Sequence, residues 1–269
     1  MQKWTFFLVV LFLLYLTQSV FSQNSPVGFF VGASGSLLLI NAEAQYEGED
    51  LDVTDDLFTM TSYEDPFGWE VSWTYGGLGW ENKMLYGFKP IVGYRFSPRF
   101  AAYGAYNYLL TKKSEQSDAF TSQYTTFTLT MDASFEYSQR AIQLLGQFYP
   151  VANSGLFLVA GMEFVSLSAE LSYDMVDTYY GARPWKADGS DKTSGFLFGA
   201  GFELPISSGN MALIGTVLFS TSKYDGDELL EVQTSPGVVT DPNIDLELNV
   251  GGIMFDAGLR IYFNKPPAL

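Results

Sequence analysis

The C-terminal part of the chain alternates regularly between apolar and polar positions. Every second residue from position 253 to position 263 is apolar, and the residues between them include Asp256, Gly258 and Arg260. Successive side chains of a β-strand point to opposite faces. A strand with one face in lipid and the other towards a polar lumen shows this two-residue period. The pattern therefore predicts a membrane-spanning β-strand at the end of the chain.

Seven earlier segments are also strand candidates, and all but 100–110, whose faces are ambiguous, show the same period, so the sequence predicts eight strands. Each segment contains at least the roughly ten residues that a tilted strand needs to cross a bilayer. The apolar face changes near positions 138–140 and again near 251–252, which predicts a bulge at each place. The predicted strands cover about 27–40, 84–96, 100–110, 124–149, 155–173, 194–204, 211–223 and 244–263.

The connections between these strands alternate in length. Three are short, and the four others are long and polar. Short turns on one side and long external loops on the other are typical of outer-membrane barrels, whereas a secreted β-sandwich, which also alternates, has no reason for this asymmetry. We therefore predict an all-β, eight-stranded, antiparallel up-and-down transmembrane β-barrel. The short turns are 97–99, 150–154 and 205–210, and the predicted external loops are 41–83, 111–123, 174–193 and 224–243.

The first residues have the pattern of a secretory signal peptide. Lys3 supplies a positive charge, and positions 4–16 form an apolar run that is too short to span a bilayer as a helix. Val20 and Ser22 are small enough for a signal-peptidase site, so we predict cleavage after Ser22. Residues 1–22 would then be the signal peptide and 23–269 the barrel domain. An uncleaved membrane anchor is the alternative.

The charge balance and the missing residue types exclude several functions. A net charge of −16 argues against nucleic acid as a partner and against attraction of anionic phosphates by the chain as a whole. The chain has no histidine and no cysteine, so a serine nucleophile lacks its usual base and soft metals lack their usual ligands. We predict that the protein is not an enzyme and holds no cofactor. Calcium in the acidic run 47–56 is an alternative, although this run lacks the ligand spacing of an EF-hand loop.

Charged residues within the predicted strands are few and lie on the glycine-rich face. An eight-stranded barrel has an interior just wide enough for side chains, so we expect these residues to form ion pairs inside the barrel. Their role would be structural, and the alternative is a narrow polar path for solutes. The six residues are Lys89, Arg95, Glu163, Glu203, Asp256 and Arg260.

The spacing of Gly258, Ile261 and Phe263 resembles the C-terminal assembly signal of bacterial outer-membrane barrels, although six residues follow the phenylalanine. Together with the signal peptide and the loop asymmetry, the chain resembles small OmpA/OmpW-type outer-membrane β-barrels without a peptidoglycan-binding domain. The resemblance implies an integral, multi-pass protein of a Gram-negative outer membrane, with membrane lipid and the barrel assembly machinery as partners. It also implies roles ranging from envelope stability to solute passage and surface adhesion.

Three functions remain open from the sequence. The first is a non-enzymatic barrel with a structural role or with surface recognition through its acidic external loops. The second is a narrow channel or transporter for small solutes. The third is a soluble, secreted, lipocalin-like binder, in which the apolar residues would line the inside and the charges would face water.

Overall fold

A computed structural model describes most of the chain between residues 27 and 263. The predicted signal peptide at 1–22 and the tail after Phe263 lie outside the described residues. The described ranges are 27–42, 44–46, 49–51, 63–64, 70–71, 84–121, 128–152, 155–178, 181–206, 210–226, 232–233 and 244–263.

These residues fold almost entirely into β-structure, as expected for segments rich in aromatic and β-branched residues. No helix in the described ranges is long and apolar enough to cross a membrane. The described strands, numbered along the chain, are β1 (Gly28–Ala42), β2 (Ala44–Tyr46), β3 (Glu49–Leu51), β4 (Tyr63–Glu64), β5 (Glu70–Val71), β6 (Met84–Ser97), β7 (Phe100–Leu109), β8 (Lys112–Thr121), β9 (Thr128–Phe148), β10 (Leu156–Asp177), β11 (Gly181–Ile206), β12 (Met211–Ser220), β13 (Tyr224–Gly226), β14 (Val232–Gln233) and β15 (Ile244–Tyr262).

Eight of these strands close into a barrel. Their order is β1-β6-β7-β9-β10-β11-β12-β15, and β15 pairs back onto β1. Each neighbouring pair is antiparallel, including the closing pair, which runs from Phe30↔Tyr262 to Ala42↔Leu248. Closure leaves no edge strand with unpaired backbone groups. The predicted all-β, eight-stranded antiparallel barrel is confirmed.

The barrel wall has an apolar outside and a filled inside. Among the described residues of the barrel strands, the large apolar side chains that point outwards form a continuous band, the apolar belt. The interior packs apolar side chains such as Phe30, Leu145 and Leu218 against buried polar ones. The apolar belt includes Phe29, Phe88, Val92, Phe100, Ile142, Leu144, Leu158, Met162, Phe164, Phe196, Phe198, Val217, Phe255, Leu259 and Ile261.

The face change predicted at 138–140 is wrong. The pairing of β9 with β10 continues without a shift from Leu129↔Asp177 to Phe148↔Leu158. The irregularity lies instead in the neighbouring chain segment: β7 ends its pairing at Tyr108↔Arg140, and β8 begins at Lys112↔Tyr137. Between these two pairs the chain advances by four residues, from Tyr108 to Lys112, whereas β9 advances by only three, from Arg140 to Tyr137. The sequence pattern was misleading because Tyr137 points into the barrel.

The second predicted bulge, at 251–252, is confirmed. The pairing of β15 with β1 shifts between Ile40 and Asn41, whose partners are Gly252 and Asn249. Gly252 has a φ of 139°, in a region that residues with a side chain rarely adopt. The glycine therefore permits the local change of face.

Two segments expected to be loops are largely paired strand. Strand β8 lies within 111–123 and pairs with β9, and the β10–β11 hairpin extends as far as Asp177↔Gly181. These extensions continue the wall past the apolar belt. They mix polar and apolar residues without a regular two-residue period, so the sequence pattern does not show them as strands. The segments 41–83 and 224–243 are described only where they form β2 to β5, β13 and β14.

Candidate functional site

The structure brings the six predicted charged residues into the barrel interior. Lys89, Arg95, Glu163 and Arg260 are each 1% exposed, Glu203 is 3% exposed and Asp256 is 8% exposed. They occupy inward positions on four strands, β6, β10, β11 and β15, and they form three polar clusters rather than one continuous network. Each cluster is named below after the carboxylate at its centre.

The first cluster surrounds Glu203 near the short-turn end of the barrel. Its carboxylate lies 3.0 Å from Nη1 of Arg260 and 3.7 Å from Nη1 of Arg95. The hydroxyl of Tyr149 donates to Oε2 at 2.6 Å, and the hydroxyl of Tyr262 donates to Oε1 at 2.5 Å. One carboxylate is therefore shared between two guanidinium groups and accepts hydrogen bonds on both oxygens.

Aromatic rings hold the two guanidinium groups of this cluster in place. The Arg95 guanidinium lies 3.8 Å from the ring centre of Tyr149, and that of Arg260 lies 4.1 Å from the ring centre of Phe30. Cations at these distances are attracted to the ring face. Arg95 also donates to the carbonyl oxygen of Pro98 at 2.9 Å, which ties the cluster to the adjacent turn. The arrangement blocks this end of the lumen.

The second cluster surrounds Asp256, higher in the barrel. Nζ of Lys89 donates to Oδ2 at 2.7 Å, the hydroxyl of Thr216 donates to the same oxygen at 2.9 Å, and the hydroxyl of Ser36 donates to Oδ1. Lys89 also lies 3.0 Å from the sulfur of Met254. The ion pair thus links β6 and β15 over the inner face of β1, which lies between them.

The third cluster surrounds Glu163 and differs from the expectation of ion pairs. Among the described residues, no cationic group lies within 4 Å of its carboxylate. Three neutral donors bind it instead: Nε2 of Gln143 at 3.1 Å, the hydroxyl of Ser222 at 2.7 Å and the hydroxyl of Ser220. The sequence reasoning missed these partners, because it considered charged residues alone.

The side chains around these residues pack closely and leave them almost no area accessible to water. A side chain that lines an aqueous lumen has a large accessible area, whereas Lys89, Arg95 and Arg260 have almost none. The charged groups are matched by nearby partners, as burial of charge requires. No group of residues suited to a metal ion occurs in the described part of the chain. The lipocalin-like alternative is contradicted, since it places the charges outside and an apolar lining inside.

The predicted assembly residues lie where β15 meets β1. Gly258 points inwards, and a Cβ atom built on it would lie 2.1 Å from the carbonyl oxygen of Ala33. Ile261 and Phe263 point outwards. The backbone N–H of Phe263 donates to the carbonyl oxygen of Phe29 at 3.0 Å, and the two rings lie 5.6 Å apart. These contacts continue the closing seam one residue past the end of β15.

Comparison with known proteins gives similarity of fold alone. No protein-family model matches the chain, and no curated protein matches it. Similar solved structures include the outer membrane protein OprG from Pseudomonas aeruginosa, with 9% identity over 90% of this chain and 98% of that one and a TM-score of 0.47. Ail, the attachment invasion locus protein of Yersinia pestis, has 13% identity over 88% of this chain and 100% of that one, with a TM-score of 0.35.

A third similar structure is CarO from Acinetobacter baumannii, with 14% identity over 66% of this chain and 92% of that one and a TM-score of 0.34. This chain has the fold of a small outer-membrane β-barrel. The closed strand order, the outward apolar belt and the inward charges of this structure are the features of that fold.

Proposed function

We propose that the protein is an integral, multi-pass component of the outer membrane of a Gram-negative bacterium. The apolar belt carries the proposal. Among the described residues it bears no outward charge, and it includes fully outward aromatic rings such as Phe196 and Phe198, which are 63% and 52% exposed. Water-soluble monomers rarely expose apolar patches larger than a few hundred Å². A band around the whole wall is suited to contact with lipid.

Within that membrane we propose a structural or surface-recognition role without enzymatic activity. The buried clusters of Glu203 and Asp256 support a closed lumen, because solute passage would have to separate ion pairs that exclude water. Recognition would fall to the polar segments past the belt, including the acidic run 47–56, most of which lies outside the described residues. The barrel assembly machinery is the proposed partner during insertion.

Location and insertion are tested by fractionating cells that produce the full chain. We expect the protein in the outer-membrane fraction, with faster gel migration when the sample is not boiled, since a folded barrel resists detergent. A soluble monomer in the periplasm or medium would contradict the proposal.

The depth of the apolar belt is tested by introducing one positive charge at two heights. Phe198→Lys, in the middle of the belt, should lower the free energy of unfolding in lipid vesicles by about 2–4 kcal/mol. Ser168→Lys, which also points outwards but lies past the belt, should change it by less than about 1 kcal/mol. Equal effects at the two positions would mean that the belt does not face lipid.

The closed lumen is tested by planar bilayer recordings of the wild type and of Lys89→Met. We expect no ion conductance from the wild type, because Lys89 and Asp256 form an ion pair at 2.7 Å inside a lumen filled by buried side chains. Steady single-channel currents from the wild type would favour the narrow-channel alternative over the proposed role. Currents from the variant alone would show that this ion pair is the barrier.

A further inference from the structure

The outer wall of β9, β10 and β11 carries one row of basic side chains at the upper border of the apolar belt. Ser166 on β10 pairs with Arg140 on one side and with Lys192 on the other. Cross-strand partners point to the same side of a sheet, and all three residues are exposed. The three residues are called the cationic row below. Its two basic residues are about 10 Å apart at their Cα atoms, which is two strand spacings.

The next outward row towards the membrane is mainly apolar, although it also contains Ser194, the partner of Phe164 on β11. Ile142 and Phe164 are cross-strand partners there, and they are 54% and 47% exposed. They line an open groove of about 770 Å³ on the outer wall together with Tyr106 and the cationic row. The groove therefore has an apolar lower part and a positively charged upper part. This is the polarity of a lipid whose chain lies below an anionic headgroup.

The positive charges of the cationic row have no acidic partner. Within the described residues, no carboxylate lies within 4 Å of either basic group, and the Arg140 guanidinium lies 5.4 Å from the ring centre of Tyr108. The outward lysines higher on the wall differ. Lys113 lies 2.6 Å from Glu115, which raises the pKa of the lysine through their hydrogen bond and charge, and Lys186 lies 3.0 Å from Glu170.

Acidic residues above the cationic row limit where an anion can bind. Glu136, Glu170 and Asp188 form one outward row four residues further along the strands, about 13 Å away. Physiological salt screens charges over about 8 Å, so the acidic row repels an anion placed beside it more than one held at the cationic row. The net charge of −16 disfavours anions in general, which makes an unpaired pair of cations at the lipid border unusual in this chain.

We propose that Arg140, Ser166 and Lys192 bind the phosphate of an anionic lipid in the outer leaflet, with its acyl chain along the groove below. The inference rests on the membrane location proposed above. Charge-assisted hydrogen bonds from both cations supply the affinity, and the Ser166 hydroxyl is a third donor between them. The apolar part of the groove selects a lipid over a small soluble anion.

The test is native mass spectrometry of the folded full chain in detergent, titrated with phosphatidic acid or with phosphatidylcholine. We expect the wild type to prefer phosphatidic acid, and Arg140→Gln/Lys192→Gln to bind it about tenfold more weakly or worse, as expected for loss of hydrogen bonds to charged groups. The matched control Lys113→Gln/Lys186→Gln removes the same charge from paired lysines and should bind like the wild type. Arg140→Lys/Lys192→Arg should keep the preference.

Three results would overturn the proposal: equal binding of the two lipids, equal loss in the two glutamine variants, or displacement of phosphatidic acid by millimolar inorganic phosphate. If the Arg140→Gln/Lys192→Gln variant does not fold, the lipid preference of the wild type and its response to inorganic phosphate still test the proposal. The assay is independent of cell fractionation. A membrane protein without lipid preference would refute this site alone, whereas a soluble protein would refute the membrane location.

Discussion

Replacement of Glu203 by glutamine is the most direct perturbation of the barrel interior. The carboxylate is almost inaccessible and faces two guanidinium groups, at 3.0 Å from Arg260 and 3.7 Å from Arg95. Glutamine keeps the size but removes the negative charge. It also places an amide donor where Tyr149 or Tyr262 now donates a hydrogen bond. Two buried cations would be left without a counter-charge.

The expected cost follows from this geometry. Removing one partner of a buried ion pair typically costs about 3–5 kcal/mol, because the remaining charge stays buried. A loss of about 3 kcal/mol lowers the urea midpoint of a small protein by about 1–3 M. We expect a shift in this range for Glu203→Gln, measured as the folded, heat-modifiable fraction in lipid vesicles over a urea series.

Two further variants make the interpretation of Glu203→Gln specific. Glu170→Gln breaks an ion pair with Lys186 at 3.0 Å in which both side chains are nearly half exposed, so it should cost less than about 1 kcal/mol. The double variant Glu203→Gln/Arg260→Gln should lose less than the sum of the single losses, since one unpaired guanidinium is removed. Equal midpoints for Glu203→Gln and Glu170→Gln would refute the reasoning.

Two further predictions concern the seam between β1 and β15. Gly258→Ala should lower the free energy of unfolding by about 1–3 kcal/mol through overpacking, whereas Gly35→Ala, where the nearest atom to the new Cβ is 4.0 Å away, should have little effect in the same urea assay. Phe263→Ala should reduce the yield of membrane-inserted barrel more than Phe255→Ala, because Phe263 contacts Phe29 across the seam. Equal yields of the two variants in fractionated cells would contradict the assembly-signal hypothesis. Removal of the tail 264–269 should leave the yield unchanged.

The sequence determined the strand count and the inward charges because both depend on a two-residue period. Lys89, Arg95 and Arg260 alternate with outward apolar residues within single strands, so their side could be read without knowing any partner. The contacts that these side chains make with one another could not be predicted from the sequence. Glu203 and Arg260 are 57 positions apart, and their contact depends on the register of β11, β12 and β15, which no local pattern specifies.

Aromatic residues were the weaker signal. Tyr137, Tyr149 and Tyr262 point inwards, where their hydroxyls bond to Gln139 or Glu203. An aromatic ring fits both a lipid-facing position and a buried one with a polar partner, so its residue type alone does not assign a face. This ambiguity produced the wrong face change in β9. The partners of Glu163 were missed for a related reason, since serine and glutamine satisfy a carboxylate without any charge pattern in the sequence.

The distribution of charge connects the interior to the outer wall. Among the described residues, the charged side chains buried in the barrel are three cations and three carboxylates, so their charges sum to zero even though the chain has a net charge of −16. The excess negative charge must therefore lie away from the apolar belt, as the outward row of Glu136, Glu170 and Asp188 does. Burying unmatched charge in the belt would be costly, whereas acids past the belt are hydrated. The same division places Arg140 and Lys192 at the border of the belt, beside the expected lipid phosphates, so the lipid-binding proposal and the closed lumen depend on one charge pattern.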